Sequence, residues 1–277
     1  MLALGMIAAL AMPGTAQATP QLGDLGVKQS MSVKASNGES LEGKDLRAIQ
    51  LATYTAASVD GNTIVGYDLT TNTALASDIT AAAKAAGATD TNLTVNGKND
   101  PMVWVVKNLT DSRSDPWSGK LRNFCNSLAK QTNFAKQDGT AVSTLSQDKA
   151  TMSTGNVLVP GIYAIVDRTP ATTTLSSGTA IKTTASIMMM NGTAVNGVNQ
   201  LRTAGGTTLT LGQVIYKVSN VESPDKKVNV GSAWKDSASE AIGKDLTYRV
   251  TQKIPNWTGY EHYYLALNDT LGAGLDY

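Results

Sequence analysis

Residues 223–231, SPDKKVNVG, and residues 259–271, GYEHYYLALNDTL, decide the fold of this chain. Side chains along a β-strand alternate between its two faces. That alternation places Lys226 on the face of the two valines that follow it, and Asp269 on the face of the two leucines that precede it. A lysine and a carboxyl that point toward an apolar core are costly unless they are neutralised, pair or react. The pattern therefore predicts a β-domain with an inward lysine and an inward aspartate.

The chain upstream of this stretch also has the composition of a strand-rich domain. Short β-branched runs are separated by Asn-Gly, Asp-Gly and Gly-Asn turns. Runs that fit strands lie at 46–55, 63–69, 102–109, 161–167, 185–191 and 210–218. We therefore predict an all-β chain whose first unit is a β-sandwich.

Two stretches of the first unit have helical spacing instead. Residues 75–88, LASDITAAAKAAGA, carry Ser77 or Asp78 as a candidate cap and end near a glycine. Residues 115–131 place Cys125 on a stripe with Leu and Phe side chains. The spacing predicts short helical inserts in the sandwich, with Cys125 as a core residue.

The apolar start of the chain and a change near residue 219 suggest its organisation. Residues 1–18, MLALGMIAALAMPGTAQA, close on the small-x-small pattern of a signal-peptidase site. Basic residues, which usually precede such a run, are missing from it, so we expect the true start upstream. The mature part is predicted to comprise a first unit at 19–218, a linker at 219–223 and a second unit at 224–277.

The composition argues against several classes of protein. The net charge is +1, from 23 basic and 22 acidic residues without runs, which provides no basic stripe for nucleic acid and no polybasic patch for a membrane. One cysteine excludes an internal disulfide framework. One histidine and one cysteine leave no cluster for zinc and no Ser-His-Asp or Cys-His site. We expect neither a metal nor a cofactor.

Three segments together resemble one family, the pilin subunits of Gram-positive sortase-assembled fimbriae. PDKKV at 224–228, with GKDLTYRVTQKIPNWTGYEHYYLALNDTLGAGLDY at 243–277, is similar to the opening of the family's isopeptide-forming domain. SLEGKDLRAIQLATYT at 40–55 is similar to the opening strand of its N-terminal domains, and VPGIYAIVDRT at 159–169 to a turn and strand of collagen-adhesin B-type modules. The resemblance implies Ig-like, collagen-adhesin-like β-sandwich domains in tandem.

The resemblance also implies an intramolecular cross-link in the second unit. Lys226 would attack an asparagine carboxamide while Asp269 shuttles protons, and ammonia would leave. Desolvation favours this chemistry because it lowers the pKa of a lysine and raises that of an aspartate. The asparagine is expected on a late strand beyond Tyr277, since the sequence holds about half of such a domain. The alternatives are a buried Lys-Asp ion pair, or a lysine that reaches the rim while the aspartate closes a turn.

Two further residues are assigned by the resemblance alone. Lys217, in VIYKVSN, is the nearest match to the lysine that links pilin subunits, although the usual proline is absent; the alternative is an ordinary exposed strand lysine. The spacing of Tyr163 and Asp167 is similar to that of the acid in collagen-adhesin B-type modules, which makes Asp167 a candidate acid of the first unit. Lys28 or Lys34 would be its partner.

The function that these features predict is structural. The chain is expected to be a secreted, cell-wall-directed fimbrial subunit acting in adhesion and colonisation, joined by a sortase to other pilin subunits and to peptidoglycan. Its only chemistry would be single-turnover formation of its own isopeptide bonds, so it would not be an enzyme. The alternative is a wall-anchored adhesin that does not polymerise and binds a host glycan or matrix protein. Neither alternative involves nucleic acid, or a membrane in the mature form.

Overall fold

The computed structural model describes residues 20–36, 39–95, 97–109, 119–170, 172–174, 180–183, 188–203, 206–216, 220–221, 224–254, 267, 269–272 and 275. Over these residues the chain is mostly β-strand, arranged in several sheets, with a few short helices. None of the helices in these ranges has the length and apolarity to span a bilayer. The predicted signal segment at 1–18 lies outside the described residues.

Residues 20–167 contain ten of the described strands and all of the described helices. The strands are β1 Gln21–Leu22, β2 Ser32–Ala35, β3 Leu46–Asp60, β4 Thr63–Thr71, β5 Thr94–Val95, β6 Lys98–Asn99, β7 Thr140–Val142, β8 Thr144–Leu145, β9 Thr151–Ser153 and β10 Gly161–Asp167. The α-helices are α1 Ala76–Ala85, α2 Pro101–Asn108, α3 Lys120–Ala129 and α4 Thr132–Ala135, and short 3₁₀ turns cover Thr73–Leu75 and Thr91–Leu93.

The rest of the described chain contains only strands as regular structure. They are β11 Thr172–Thr174, β12 Ala180–Thr183, β13 Met189–Gly192, β14 Gln200–Arg202, β15 Thr208–Thr210, β16 Gln213–Tyr216, β17 Asn220–Val221, β18 Asp225–Val230, β19 Ala233–Lys235 and β20 Tyr248–Thr251.

The long strand β3 organises the main sheet. It pairs antiparallel with β4 and β10 along most of its length and with β1 and β7 near its ends. The order of strands is β13-β10-β3-β4-β14-β15. A second sheet, ordered β16-β2-β9-β8, contains a parallel pair between β16 and β2.

Strand β10 shows how the main sheet separates two cores. Ile162 and Ala164 join the larger core, which includes the buried sides of the helices. Tyr163 and Ile165 point the other way, into a smaller core shared with the second sheet. This alternation is the period of two that the sequence of 161–167 displays. The predicted strand at these residues is confirmed, as are strands at 46–55 and 63–69.

One predicted strand is wrong. Residues 102–109 lie almost entirely in helix α2, which begins with Pro101 at its first turn. Proline is favoured there because a backbone N–H in the first turn has no partner within the helix, so its absence costs nothing. Met102 and Val105 are buried at helical spacing. A short apolar run does not by itself distinguish a strand from a buried helix, and the proline was the signal that decides it.

The predicted helices are confirmed as α1 and α3, and Cys125 is buried in α3 as expected. The candidate cap Asp78 has another role. It lies inside α1, where its carboxylate accepts a hydrogen bond of 2.8 Å from the backbone N–H of Phe134 and one of 3.0 Å from Asn133. Asp78 therefore ties α1 to α4 rather than closing the start of its own helix.

Strands β18, β19 and β20 form a separate three-stranded sheet with β18 in the middle. Val228 faces Tyr248 on β20 and is only 3% exposed, whereas all four residues of β20 are exposed. Most of the strand predicted at 259–271 lies outside the described residues. The predicted linker at 219–223 is described only at Asn220–Val221, which form β17.

Candidate functional site

The structure brings Lys226 and Asp269 together. Lys226 projects from β18, and its Nζ lies 2.8 Å from Oδ1 and 2.7 Å from Oδ2 of Asp269. The same Nζ lies 4.7 Å from the centre of the Tyr248 ring. The lysine is thus held by a carboxylate and by an aromatic face, both of which favour a cation.

The neighbouring lysine has different partners. Lys227 donates to Asp236 and lies 3.4 Å from Asp225. The hydrogen bond with Asp236 raises the pKa of Lys227. Adjacent strand residues point to opposite faces, so the two lysines divide between the faces of this sheet as their parity predicts.

The Lys226–Asp269 pair is open to water. The two side chains are 34% and 35% exposed. Amide formation needs the amine in its neutral form, and a solvated ion pair favours the charged form instead. The arrangement as described is an ion pair on the more apolar face of the sheet. The cross-linking reaction would require an apolar cover over this pair.

Asp167 belongs to a second cluster, at the end of β10. Its Oδ1 accepts a hydrogen bond of 2.8 Å from the backbone N–H of Thr169, and its Oδ2 accepts one from the hydroxyl of Tyr216. Tyr163, which suggested Asp167 as a candidate acid, instead donates to the backbone carbonyl of Val159 at 2.9 Å. The tyrosine that positions Asp167 is therefore Tyr216, at the end of β16.

The charge of Asp167 acts on Lys44, in the turn that leads into β3. Its side chain is 7% exposed, and among the described residues Nζ has no hydrogen-bond partner. Nζ lies 5.5 Å from the centre of the Tyr216 ring. Burial lowers the pKa of Lys44, and the charges of Asp167 and Glu39 oppose that shift in part. Lys44 is thus a desolvated amine of the kind that a nucleophile requires.

Glu39 completes this cluster. Desolvation raises its pKa, against the opposing effects of Lys253 and Lys44. A lysine with a lowered pKa beside a carboxyl with a raised pKa is an arrangement that often marks functional sites and also occurs in purely structural networks. Lys28 and Lys34, the expected partners of Asp167, are both exposed.

Sequence reasoning missed Lys44 because it lies in a turn rather than in a strand. Its backbone N–H bonds to the carbonyl of Leu41, and Gly43 before it has a φ of 76°. A turn residue has no strand parity, so alternation does not report which way it points. The sequence signal for the burial of Lys44 was its position between two leucines, Leu41 and Leu46, each of which is 1% exposed.

Lys217 and Cys125 are the two remaining residues that the sequence singled out. Lys217 lies outside the described residues; Tyr216, which precedes it, is 2% exposed. Burial raises the pKa of the Cys125 thiol to about 11, which disfavours the reactive thiolate. Within the described ranges, no group of three or more His, Cys, Asp or Glu residues could hold a metal ion.

Comparison of the chain with protein-family models and with curated proteins finds no match in either set. The two lysine–aspartate clusters therefore rest on their own geometry, and the link to pilins rests on the sequence resemblance.

Proposed function

We propose that this chain is a structural subunit of a sortase-assembled cell-surface fimbria. It is exported, directed to the cell wall, and built from Ig-like domains in tandem that are stabilised by isopeptide bonds. It acts in adhesion and colonisation as part of the fimbria. The observation that supports this proposal best is the contact of Lys226 Nζ with both carboxylate oxygens of Asp269, at 2.8 and 2.7 Å.

The chemistry of the second unit is a single amide exchange. The neutral Lys226 amine attacks the carboxamide carbon of a late-strand asparagine. A C–N bond to the lysine forms and the C–N bond to the leaving group breaks. Asp269, as the neutral acid, donates a proton to the departing nitrogen and accepts one from the lysine, so that ammonia leaves and the carboxyl is regenerated.

The mechanical role of such a bond explains why one cysteine is enough. A covalent tie between distant strands constrains the unfolded chain as a disulfide does, and it does not respond to reductants. The strand-rich architecture and the long antiparallel pairing of β3 with β4 and β10 agree with a load-bearing role.

Intact mass of the full-length protein tests the cross-link. We expect a deficit of one ammonia for the second unit, and we expect Lys226→Ala to remove that deficit. Lys227→Ala is the matched control, since its side chain lies on the other face of the same strand. A deficit that persists in Lys226→Ala would show that another lysine is the nucleophile.

Co-expression with a pilin sortase tests assembly. A fimbrial shaft subunit should form a covalent ladder, and Lys217→Ala should abolish it, whereas the control Lys235→Ala, in the exposed strand β19, should leave it intact. A wall-anchored monomer that binds a host glycan or matrix protein would favour the adhesin alternative.

A further inference from the structure

The second sheet joins two strands that lie far apart in the sequence, β2 and β16. They pair in parallel, with Ser32 opposite Gln213 and Ala35 opposite Tyr216. The chain therefore enters β2 at one end of this pair and leaves β16 at the other end. Tension on the chain to the two sides of the first unit would pull the two strands past each other along their length.

The direction of the load decides how the hydrogen bonds of the pair break. The bonds of a parallel ladder are evenly spaced along the two strands. Sliding one strand along the other strains all of these bonds at once, whereas pulling the strands apart from one end breaks them one after another. The pair should therefore resist the first kind of load much better than the second.

Each strand of the pair is also bonded along its other edge. β2 pairs antiparallel with β9. β16 is held to β13 of the main sheet, because the Asn191 amide donates to the backbone carbonyl of Gln213 at 2.6 Å. Just before β16, the backbone N–H of Gly212 donates to the carbonyl of Gly192 at 2.7 Å. Neither strand can slide without breaking bonds to a third strand.

One face of the pair is closed to water. Val33, Val214 and Tyr216 are at most 7% exposed and belong to the smaller core. Lys34 and Ile215, on the opposite face, are exposed. A hydrogen bond in an apolar surrounding is electrostatically stronger than one in water, so the core side adds to the resistance of the ladder.

We propose that the β2–β16 pair is a mechanical clamp, which holds the first unit closed when tension acts between the chain before β2 and the chain after β16. The clamp needs no covalent bond, so it is distinct from the cross-link of the second unit and does not rest on assembly into fimbriae. In a shaft joined through Lys217, the load would enter after Tyr216 and bypass the pair. The clamp would act in a subunit or adhesin that is held through its first unit.

Pulling the full chain in two directions tests the clamp. Handles on Lys28→Cys and Pro224→Cys load the strands along their length, whereas handles on Lys28→Cys and Thr210→Cys pull them apart from one end. All three positions are exposed, and the native Cys125 is buried, so it takes no handle. At equal loading rates in optical tweezers, we expect the unfolding force to be severalfold higher in the first direction.

Two proline variants, pulled in the first direction, locate the resistance. The N–H of Ser32 donates to the carbonyl of Gly212 at 2.8 Å. By the alternation of a parallel ladder, the N–H of Val214 then points to β2 and that of Ile215 points away from it. Val214→Pro should lower the force to near that of the second direction, whereas the matched control Ile215→Pro should retain most of it. The comparison of directions stands even if Val214→Pro does not fold.

Three results would overturn the proposal. One is an equal unfolding force in the two directions. The second is a force along the strands that Val214→Pro leaves unchanged. The third is the release, in the first direction, of a chain much shorter than that between Ser32 and Tyr216, which would place the resistance elsewhere. The second unit does not enter these outcomes, because all handles precede β18.

Discussion

The two lysine–aspartate clusters differ in a way that separates pairing from burial. Lys226 is paired directly with Asp269, but about a third of each side chain is exposed. Lys44 is buried, yet among the described residues its Nζ has no hydrogen-bond partner, while Asp167 is bonded to Tyr216. The paired lysine is partly exposed to water, whereas the buried lysine has the Tyr216 ring but, over the described ranges, no hydrogen-bond partner at its Nζ. Amide formation by a lysine requires a desolvated amine and an acid in contact with it. Lys226 has the contact without the burial, and Lys44 has the burial without a hydrogen bond to an acid among the described residues.

The same difference has an energetic consequence. An exposed ion pair contributes little to stability, because water and salt screen it and two long side chains must be ordered. A buried amine without a partner destabilises the fold unless it becomes neutral. Removing a residue from the Lys44 cluster should therefore change stability more than removing one from the Lys226 pair.

The largest effect is expected for Asp167→Ala. This change removes an acceptor from the Tyr216 hydroxyl and from the Thr169 N–H, and it removes a charge that favours Lys44. We expect a loss of roughly 2–3 kcal/mol in the free energy of unfolding, measured by urea denaturation. Asp68→Ala, an exposed carboxylate on β4, is the control and should change it by less than about 0.5 kcal/mol. Equal losses in the two variants would contradict the role of Asp167.

The next effect has the opposite sign. Lys44→Met keeps the length of the side chain and removes the buried amine, so we expect the protein to be stabilised by about 1 kcal/mol or more at pH 7. Lys34→Met, at an exposed position of β2, should be close to neutral. Destabilisation by Lys44→Met would mean that the amine makes an interaction that its buried position does not reveal, such as a covalent bond.

The pH dependence of stability should identify Lys44 as well. Its pKa in the folded protein is lowered by burial from an ordinary value of 10.5. At a pH between the lowered pKa of the folded protein and the ordinary pKa of the unfolded chain, the unfolded chain binds more protons than the folded one. The free energy of unfolding therefore rises with pH across that window. Lys44→Met should remove that part of the rise. An identical pH profile in the two proteins, from pH 7 to 10.5, would contradict the lowered pKa of Lys44.

The smallest effect is expected at the exposed pair. In the chain as described, Lys226→Met should cost no more than about 1 kcal/mol, and the difference from the unmodified chain should shrink as salt is added. Lys227→Met is the matched control on the opposite face. A loss that is large and independent of salt would show that Lys226 is buried or cross-linked.

The local sequence pattern predicted the features that follow a regular alternation of side chains, and few others. Strand β10 was predicted with correct bounds because Gly161–Asp167 alternates between two cores, and the face of Lys226 followed from the same rule. Helix α2 was mistaken for a strand because its run of apolar residues is short and β-branched. Lys44 was missed because it lies in a turn, which has no strand parity, and because the Tyr216 ring near its Nζ lies far away in the sequence. The meeting of β16 with β10 at Asp167 is a tertiary contact that no local window contains.

The central position of β3 also sets an order of folding. Its pairing with β4 closes through a short turn at Asp60 and Thr63, so this hairpin involves little loss of chain entropy. Its pairing with β10 joins Leu46 to Asp167, and the whole helical region lies in the intervening loop. Contacts between residues so distant in sequence form slowly. We therefore expect the hairpin to form early, and the Lys44–Asp167 cluster to assemble only when that long loop closes.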